Sequence, residues 1–66
     1  MRIIVNGKTE EVADTETAAE LIVRLGLAGK RLALEVNREV LPRSRHASYR
    51  LHPDDRVEIV QAIGGG

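Results

Sequence analysis

The sequence contains no cysteine and only one aromatic residue, Tyr49. Without cysteine the chain can form no disulfide framework, no thiolate metal site and no cysteine nucleophile. Because aromatic side chains are almost missing, the hydrophobic core must be built from leucine, isoleucine and valine. These absences exclude several classes of enzyme and leave a small aliphatic domain.

Net charge and long apolar runs are missing as well. Ten basic side chains balance ten acidic ones, which argues against a general binder of nucleic acids or membrane surfaces. No apolar run approaches membrane-spanning length, and the N-terminus has no signal-peptide h-region. A chain of 66 residues allows one small core with little stability to spare. We therefore expect a soluble, cytoplasmic domain that is a monomer on its own.

A β-hairpin is predicted at the start of the chain. Residues 1–5 are rich in β-branched side chains and are followed by Asn6-Gly7. This pair is the strongest short-range hairpin signal, because both central residues of a type I′ turn need a positive φ. The returning strand, residues 8–13, is polar, as an edge strand often is. Alternation along the first strand directs Ile4 away from the core.

One helix is predicted over residues 17–25. Thr17 and Glu20 have the spacing of a capping box, and Gly26 is a natural C-terminal stop. Apolar side chains recur at helical spacing and form one stripe, which consists of Ala18, Leu21, Ile22 and Leu25. The helix is therefore expected to lay this stripe on one face of a sheet.

Three further strands are predicted after the helix, over residues 31–36, 39–41 and 56–62. Residues 45–50 read as irregular, with at most a short helical turn, and residues 53–55 form a turn by composition. The element order is β-β-α-β-β-β. The predicted fold class is α+β, with one main helix covering one face of a mixed sheet of four to five strands.

The last strand and the glycines after it are the parts of the sequence that indicate a function. Val60 and Ala62 alternate away from the helix side, as does Ile4 in the first strand, so the three could form an apolar patch on the far face. A contiguous patch would suit docking, whereas scattered exposed aliphatic side chains are normal. Both interpretations are open at this point.

Three glycines, Gly64, Gly65 and Gly66, follow Ile63. Glycine has no Cβ and loses much conformational entropy on ordering, so residues 64–66 are expected to form a flexible tail on a domain of residues 1–63. Three extended residues reach roughly 10 Å, far enough to enter a narrow active site on another protein. A frayed end would give the same pattern.

No metal site or hydrolytic site is predicted. His46 and His52 are not at helical ligand spacing, and neither has a second ligand nearby. Ser44 and Ser48 can be drawn into a triad with His46 and Asp54, but no nucleophile elbow surrounds either serine.

Arginines 43, 45 and 50 make one loop locally basic. The simplest interpretation is a solvated surface, because no aromatic platform for base stacking accompanies them. The alternative is a docking site for an acidic patch on a partner.

Four stretches together resemble the ThiS family, the sulfur carriers of thiamine biosynthesis. They are residues 4–8 at the first hairpin, 17–22 at the helix start, 33–44 and 55–66. The turn at residues 53–55 departs from the family, which often has a glycine before the acidic residue. The resemblance implies a ubiquitin-like β-grasp fold and a carrier that is not itself an enzyme.

The resemblance also implies a mechanism that acts on Gly66. A ThiF-like adenylyltransferase would adenylate its carboxylate with Mg-ATP, and the chain itself would bind no cofactor. Sulfur from a cysteine desulfurase or another persulfide donor would then give a thiocarboxylate, which supplies a ThiG-like thiazole synthase. Gly64, Gly65 and Gly66 would enter the partners' active sites. The expected partner-binding surface consists of Ile4, Val60, Ala62 and Ile63.

Two alternatives share parts of this pattern. The same carrier chemistry serves molybdopterin synthesis, tRNA thiolation and protein modification, although the molybdopterin carrier is usually longer and richer in aromatic residues. The other alternative is a β-grasp binding module whose glycines have no chemical role.

Overall fold

The computed structural model describes residues 1–62. Its strands are β1 (Arg2–Val5), β2 (Lys8–Glu11), β3 (Leu32–Val36), β4 (Glu39–Val40) and β5 (Arg56–Gln61). One helix, α1 (Ala18–Arg24), lies between β2 and β3, and a 3-10 turn (Arg43–Arg45) lies between β4 and β5. The predicted element order and the α+β fold class are confirmed.

The five strands form one mixed sheet in the order β2-β1-β5-β3-β4. Strand β5, the last in the sequence, therefore occupies the centre. It pairs in parallel with β1 and antiparallel with β3, whereas the two hairpins lie at the edges. The strand that leads to the glycines is thus held by backbone hydrogen bonds on both sides.

The first hairpin turns where the sequence predicts it. Asn6 has a φ of 49° and Gly7 a φ of 81°, as the two central residues of a type I′ turn require. Strand β2 ends at Glu11 and not at residue 13, because β1 starts at Arg2 and offers no further partner. Beyond the strand, the Val12 amide donates to the Met1 carbonyl at 2.9 Å and the Met1 ammonium donates to the Val12 carbonyl at 2.6 Å, and the Val12 side chain is buried.

The helix begins with the predicted capping box. The Glu20 amide donates to Thr17 Oγ1 at 3.1 Å, and the Thr17 amide donates to Glu20 Oε1 at 2.8 Å. Leu25 caps the other end, and Gly26 follows with a φ of 75°, a conformation that suits glycine. The predicted helix boundaries are therefore confirmed to within one residue.

The helix packs its apolar stripe against the sheet. The largest side chains with no significant exposure come from four elements and meet in one core: Ile3, Leu21, Leu34 and Val57. Leu51, which follows the irregular segment, is also buried in this core. Burial of aliphatic side chains is the main stabilising contribution in a domain with one aromatic residue.

A buried ion pair that the sequence pattern did not indicate connects α1 with the loop before it. The Glu16 carboxylate accepts hydrogen bonds from Arg24 Nε at 2.8 Å and from Arg24 Nη2 at 2.7 Å. The Glu16 side chain is 5% exposed, whereas that of Arg24 is 49% exposed. These hydrogen bonds from Arg24 hold the pKa of Glu16 below its usual range, although burial acts in the opposite direction.

The Glu16→Gln variant is expected to be less stable at pH 7 by about 1–2 kcal/mol. The expected loss of stability is at the lower end of the range for hydrogen bonds to charged groups, because the Arg24 side chain is half exposed to solvent. A lowered pKa in the folded state stabilises the protein above the unfolded-state pKa of about 4.3, and this contribution is lost as pH falls through the folded value. Urea unfolding between pH 7 and pH 3 should therefore show the difference from wild type shrinking below about pH 4.3. Glu39→Gln, at an exposed position, serves as the control, and a pH-independent deficit in Glu16→Gln would contradict the ion-pair account.

Candidate functional site

Strand β5 presents two different faces. Val57 and Ile59 are buried against the helix side, as the alternation predicts. Val60 lies on the other face and is 65% exposed, and Ala62 just beyond the strand is also exposed. We call the face of the sheet away from α1 the open face; its central part consists of Ile4, Ala33, Glu35, Arg56, Glu58 and Val60.

The strand register sets the spacing of the predicted apolar patch. Ile4, which is half-buried, lies beside Arg56 in the parallel pair of β1 and β5. Val60 lies four residues further along β5, roughly 13 Å from Arg56 at the strand rise. Glu58 stands between them on the same face. Ile4 and Val60 therefore do not form a contiguous apolar patch, because charged side chains lie between them.

The apolar part of the open face lies at the C-terminal end of β5. Val60 is paired with Ala33 of β3, and the Ala62 amide donates to the Arg31 carbonyl at 3.0 Å. This hydrogen bond is the last described contact before residue 63. The predicted site residues Ile63, Gly64, Gly65 and Gly66 lie outside the described residues. The described part of the site is thus the end of β5 with its exposed valine and alanine.

Two glutamates face each other across the middle of the open face. Glu35 of β3 is the direct antiparallel partner of Glu58 in β5. Like charges directly opposite each other destabilise a sheet, so this pair adds nothing to folding. A cationic side chain of a docked partner would relieve the repulsion.

The side chain of Asn6 extends the pairing of β1 with β5. Its Nδ2 donates to the Ile59 carbonyl at 3.2 Å, and its Oδ1 accepts from the Ile59 amide at 2.8 Å. The Asn6 backbone amide also donates to the Val57 carbonyl at 2.8 Å. The Asn6 side chain therefore satisfies both the amide and the carbonyl of Ile59.

The start of β5 is held in a similar way by the second hairpin turn. Asn37, with a φ of 52°, accepts from the Arg56 amide at 3.0 Å and donates to Asp55 Oδ1 at 2.9 Å. The buried Asp55 carboxylate also accepts from the His52 amide at 2.8 Å. Burial raises the pKa of Tyr49, and the neighbouring Asp55 carboxylate adds to this effect. Asparagines that the sequence marks only as turn residues thus hold β5 at its first residue, Arg56, and at Ile59.

The other residues considered from the sequence do not gather into a reactive site. His46 is buried, and its Nε2 lies 3.0 Å from the Leu41 carbonyl. His52 is exposed, and its Nδ1 lies 3.7 Å from Asp55. Within residues 1–62, no group of three or more potential ligands could hold a metal ion. In the same part of the chain, no helix has the length and apolar character needed to cross a membrane.

Comparison with known proteins gives a consistent result. The sequence model of the ThiS family matches residues 2–66. The sulfur carrier protein ThiS of Escherichia coli strain K12 is 29% identical over 66 residues, which cover the whole of both chains. The crystal structure of a thiamine biosynthesis protein (ThiS) from Geobacter metallireducens has a TM-score of 0.84 at 33% identity, again over the whole of both chains. This likeness confirms the β-grasp fold.

A longer relative is also similar. The thiazole synthase of Paramagnetospirillum magneticum is 33% identical over 66 residues. These residues are all of this chain but only 20% of that protein, so the chain spans a fifth of the relative's length.

Proposed function

Because this chain belongs to the ThiS family, we propose that it is a sulfur carrier for thiazole formation in thiamine biosynthesis. The observation that carries the proposal is the family match through residue 66, on a domain that resembles the carrier of Escherichia coli over its whole length. In this proposal the chain is a co-substrate of other proteins and not a catalyst.

The chemistry is proposed to take place at the carboxylate of Gly66. Such a carboxylate has a pKa of about 3.3–3.7, so at neutral pH it is an anion and a poor electrophile. A ThiF-like enzyme would let it attack the α-phosphate of ATP, forming an acyl adenylate and releasing pyrophosphate. Sulfur from a persulfide donor would then displace AMP and, after reductive cleavage of the sulfur–sulfur bond by a thiol, leave a thiocarboxylate. Its sulfur would be delivered to a ThiG-like thiazole synthase.

The folded domain supports this proposal through the rigidity of β5. This strand is central in the sheet and paired on both sides. Asn37 holds its first residue, Arg56, and Asn6 holds Ile59. A partner that docks on the open face near Val60 would therefore find the C-terminal end of β5 at a fixed place. Positioning of a reacting group in this way lowers the entropic cost of the reaction.

Intact-mass spectrometry tests the proposal. The protein would be incubated with an activating enzyme, Mg-ATP and a sulfur donor. Exchange of one oxygen for one sulfur at Gly66 is expected, and it should require ATP. An unchanged mass would favour a binding module. Transfer assays with thiazole synthase, molybdopterin synthase and a tRNA thiolase would then separate the possible recipients of the sulfur.

The Val60→Asp variant is expected to bind the activating enzyme at least about tenfold more weakly. A carboxylate at this exposed position would disrupt the apolar contact beside Ala33, and it would add to the negative charge of Glu35 and Glu58. Because Val60 is 65% exposed, stability should change by less than about 1 kcal/mol. Isothermal titration calorimetry and thermal unfolding measure the two quantities.

Val23→Asp is the matched control, since Val23 is 64% exposed but lies on α1. It is expected to leave binding of the activating enzyme unchanged. An equal loss of affinity in both variants would contradict a docking surface on the open face. A large drop in the melting temperature of Val60→Asp would show that Val60 contributes to the core.

A further inference from the structure

A second surface lies on the helix side of the molecule. A groove of about 290 Å³ runs between the C-terminal half of α1, the loop that follows it and the segment after the 3-10 turn. Its apolar lining includes Ile22, Leu27 and Leu32, and Val23 stands on its wall with 64% of its surface exposed. We call this feature the helix-side groove. It lies on the opposite side of the sheet from Val60.

The charges around the helix-side groove have one sign. Lys30 and Arg43 line it, and no carboxylate does. Within residues 1–62, neither forms an ion pair with a carboxylate, and Arg43 makes only a long hydrogen bond of 3.4 Å to the Lys30 carbonyl. Residues 24–50 carry seven basic and two acidic side chains in a chain of zero net charge. The groove is therefore an apolar surface with unneutralised positive charge at its edge.

We propose that the helix-side groove binds a segment of a partner protein in which aliphatic side chains are flanked by carboxylates. The aliphatic side chains would cover Val23 and Leu27, and the carboxylates would pair with Lys30 and Arg43. The aliphatic side chains match the apolar floor of the groove, and the carboxylates match its positively charged edge.

The shape of the groove favours a peptide segment over other occupants. Its volume is at the lower end of small-molecule sites, about 300–1,000 Å³, and such sites enclose most of their ligand. Here Val23, Ala28 and Arg43 are exposed, so the groove is open along its length. A nucleic acid is disfavoured because no phenylalanine, tyrosine or tryptophan lines the groove for base stacking, and His46 is buried.

The helix-side groove and the open face lie on opposite sides of the sheet. Because the groove lies on the helix side, its occupant would leave Val60, on the opposite face of the sheet, accessible. The chain could then hold one partner through the groove while another docks on the open face. Binding at the groove does not depend on the sulfur chemistry, so its test needs neither an activating enzyme nor a sulfur donor.

Fluorescence anisotropy and nuclear magnetic resonance test the proposal. The probe is a short fluorescein-labelled peptide in which leucines are flanked by glutamates. We expect saturable binding that weakens as salt is raised, with amide shifts at Val23, Leu27, Gly29 and Ala47. Peptides with serine in place of leucine, or lysine in place of glutamate, should not bind. Absence of binding by the probe, or shifts centred on Val60, would overturn the proposal.

Surface variants locate the binding. Charge reversal by Lys30→Glu together with Arg43→Glu is expected to lower the peptide affinity about tenfold or more, and Val23→Asp should have a similar effect. Val60→Asp, at an equally exposed valine on the open face, should leave the affinity unchanged. Equal effects from both valine variants would overturn the assignment. Peptide-independent dimerisation that the Val23→Asp variant abolishes would identify a second copy as the occupant and would also overturn it.

Discussion

Deletion of Gly66 is expected to lower the rate of adenylation by more than about 100-fold, because a misplacement of about 1 Å from the reactive geometry can cost that much. Removing one residue draws the carboxylate back by about 3.5 Å, the length of one extended residue. The domain cannot follow, since β5 is paired on both sides and held by Asn6 at Ile59. The carboxylate would therefore stay out of line with the α-phosphate of ATP.

ATP–pyrophosphate exchange measures the adenylation step, and intact-mass spectrometry measures sulfur loading. The shortened protein should unfold at the same urea concentration as the wild type, because the core is formed by residues 3–59. A wild-type rate of ATP–pyrophosphate exchange, or a thiocarboxylate on the shortened chain, would disprove the assignment of Gly66 as the site of activation.

Gly65→Ala provides a control that preserves the length of the tail. The added Cβ widens the tail and restricts its backbone, so we expect slower activation and unchanged stability. A wild-type adenylation rate in this variant would show that the tail is not threaded through a narrow channel. Together the two variants distinguish the effect of tail length on activation from the effect of tail width.

Substitution of Asn6 by alanine is expected to lower the free energy of unfolding by about 2–4 kcal/mol. The change removes both hydrogen bonds to Ile59 and leaves the Ile59 amide and carbonyl without these partners. It also places alanine at a φ of 49°, a conformation that costs an L-residue about 1–2 kcal/mol. For a domain of this size, with a total stability of a few kcal/mol, the loss is large.

Two further variants separate the causes. Asn6→Gly tolerates the positive φ but loses the side-chain hydrogen bonds, so its deficit measures them, together with the entropy cost of glycine. Asn6→Asp keeps the acceptor for the Ile59 amide but sets a carboxylate against the Ile59 carbonyl. Urea unfolding of the series gives the free energies. A loss below about 0.5 kcal/mol in all three variants would contradict a structural role for the side chain.

Local patterns explain why much of the fold was predicted. The capping box of Thr17 and Glu20, the stop at Gly26 and the turn at Asn6-Gly7 each depend on neighbouring residues only. The alternation in β5 likewise predicted that Val60 would lie away from the helix side, where it is exposed, because strand geometry sets which face a side chain occupies.

Long-range contacts explain what was missed. The ion pair of Glu16 with Arg24 connects a loop to the end of the helix, and no short motif encodes it. Asn37 was predicted only to lie in a turn, although its side chain reaches Asp55 and the Arg56 amide. The helix-side groove depends on how the segment after the 3-10 turn packs against α1, which no periodicity indicates.

The sequence alone determined the elements, the fold class and the resemblance that directs attention to Gly66, because these depend on short-range patterns. Only the tertiary structure decided that β5 lies at the centre of the sheet and that Ile4 and Val60 are separated by charged residues. It also decided that Asn6 holds Ile59, a residue 53 positions away. The physical reason is that strand order and register bring together residues far apart in the chain, and no local pattern specifies which ones will meet.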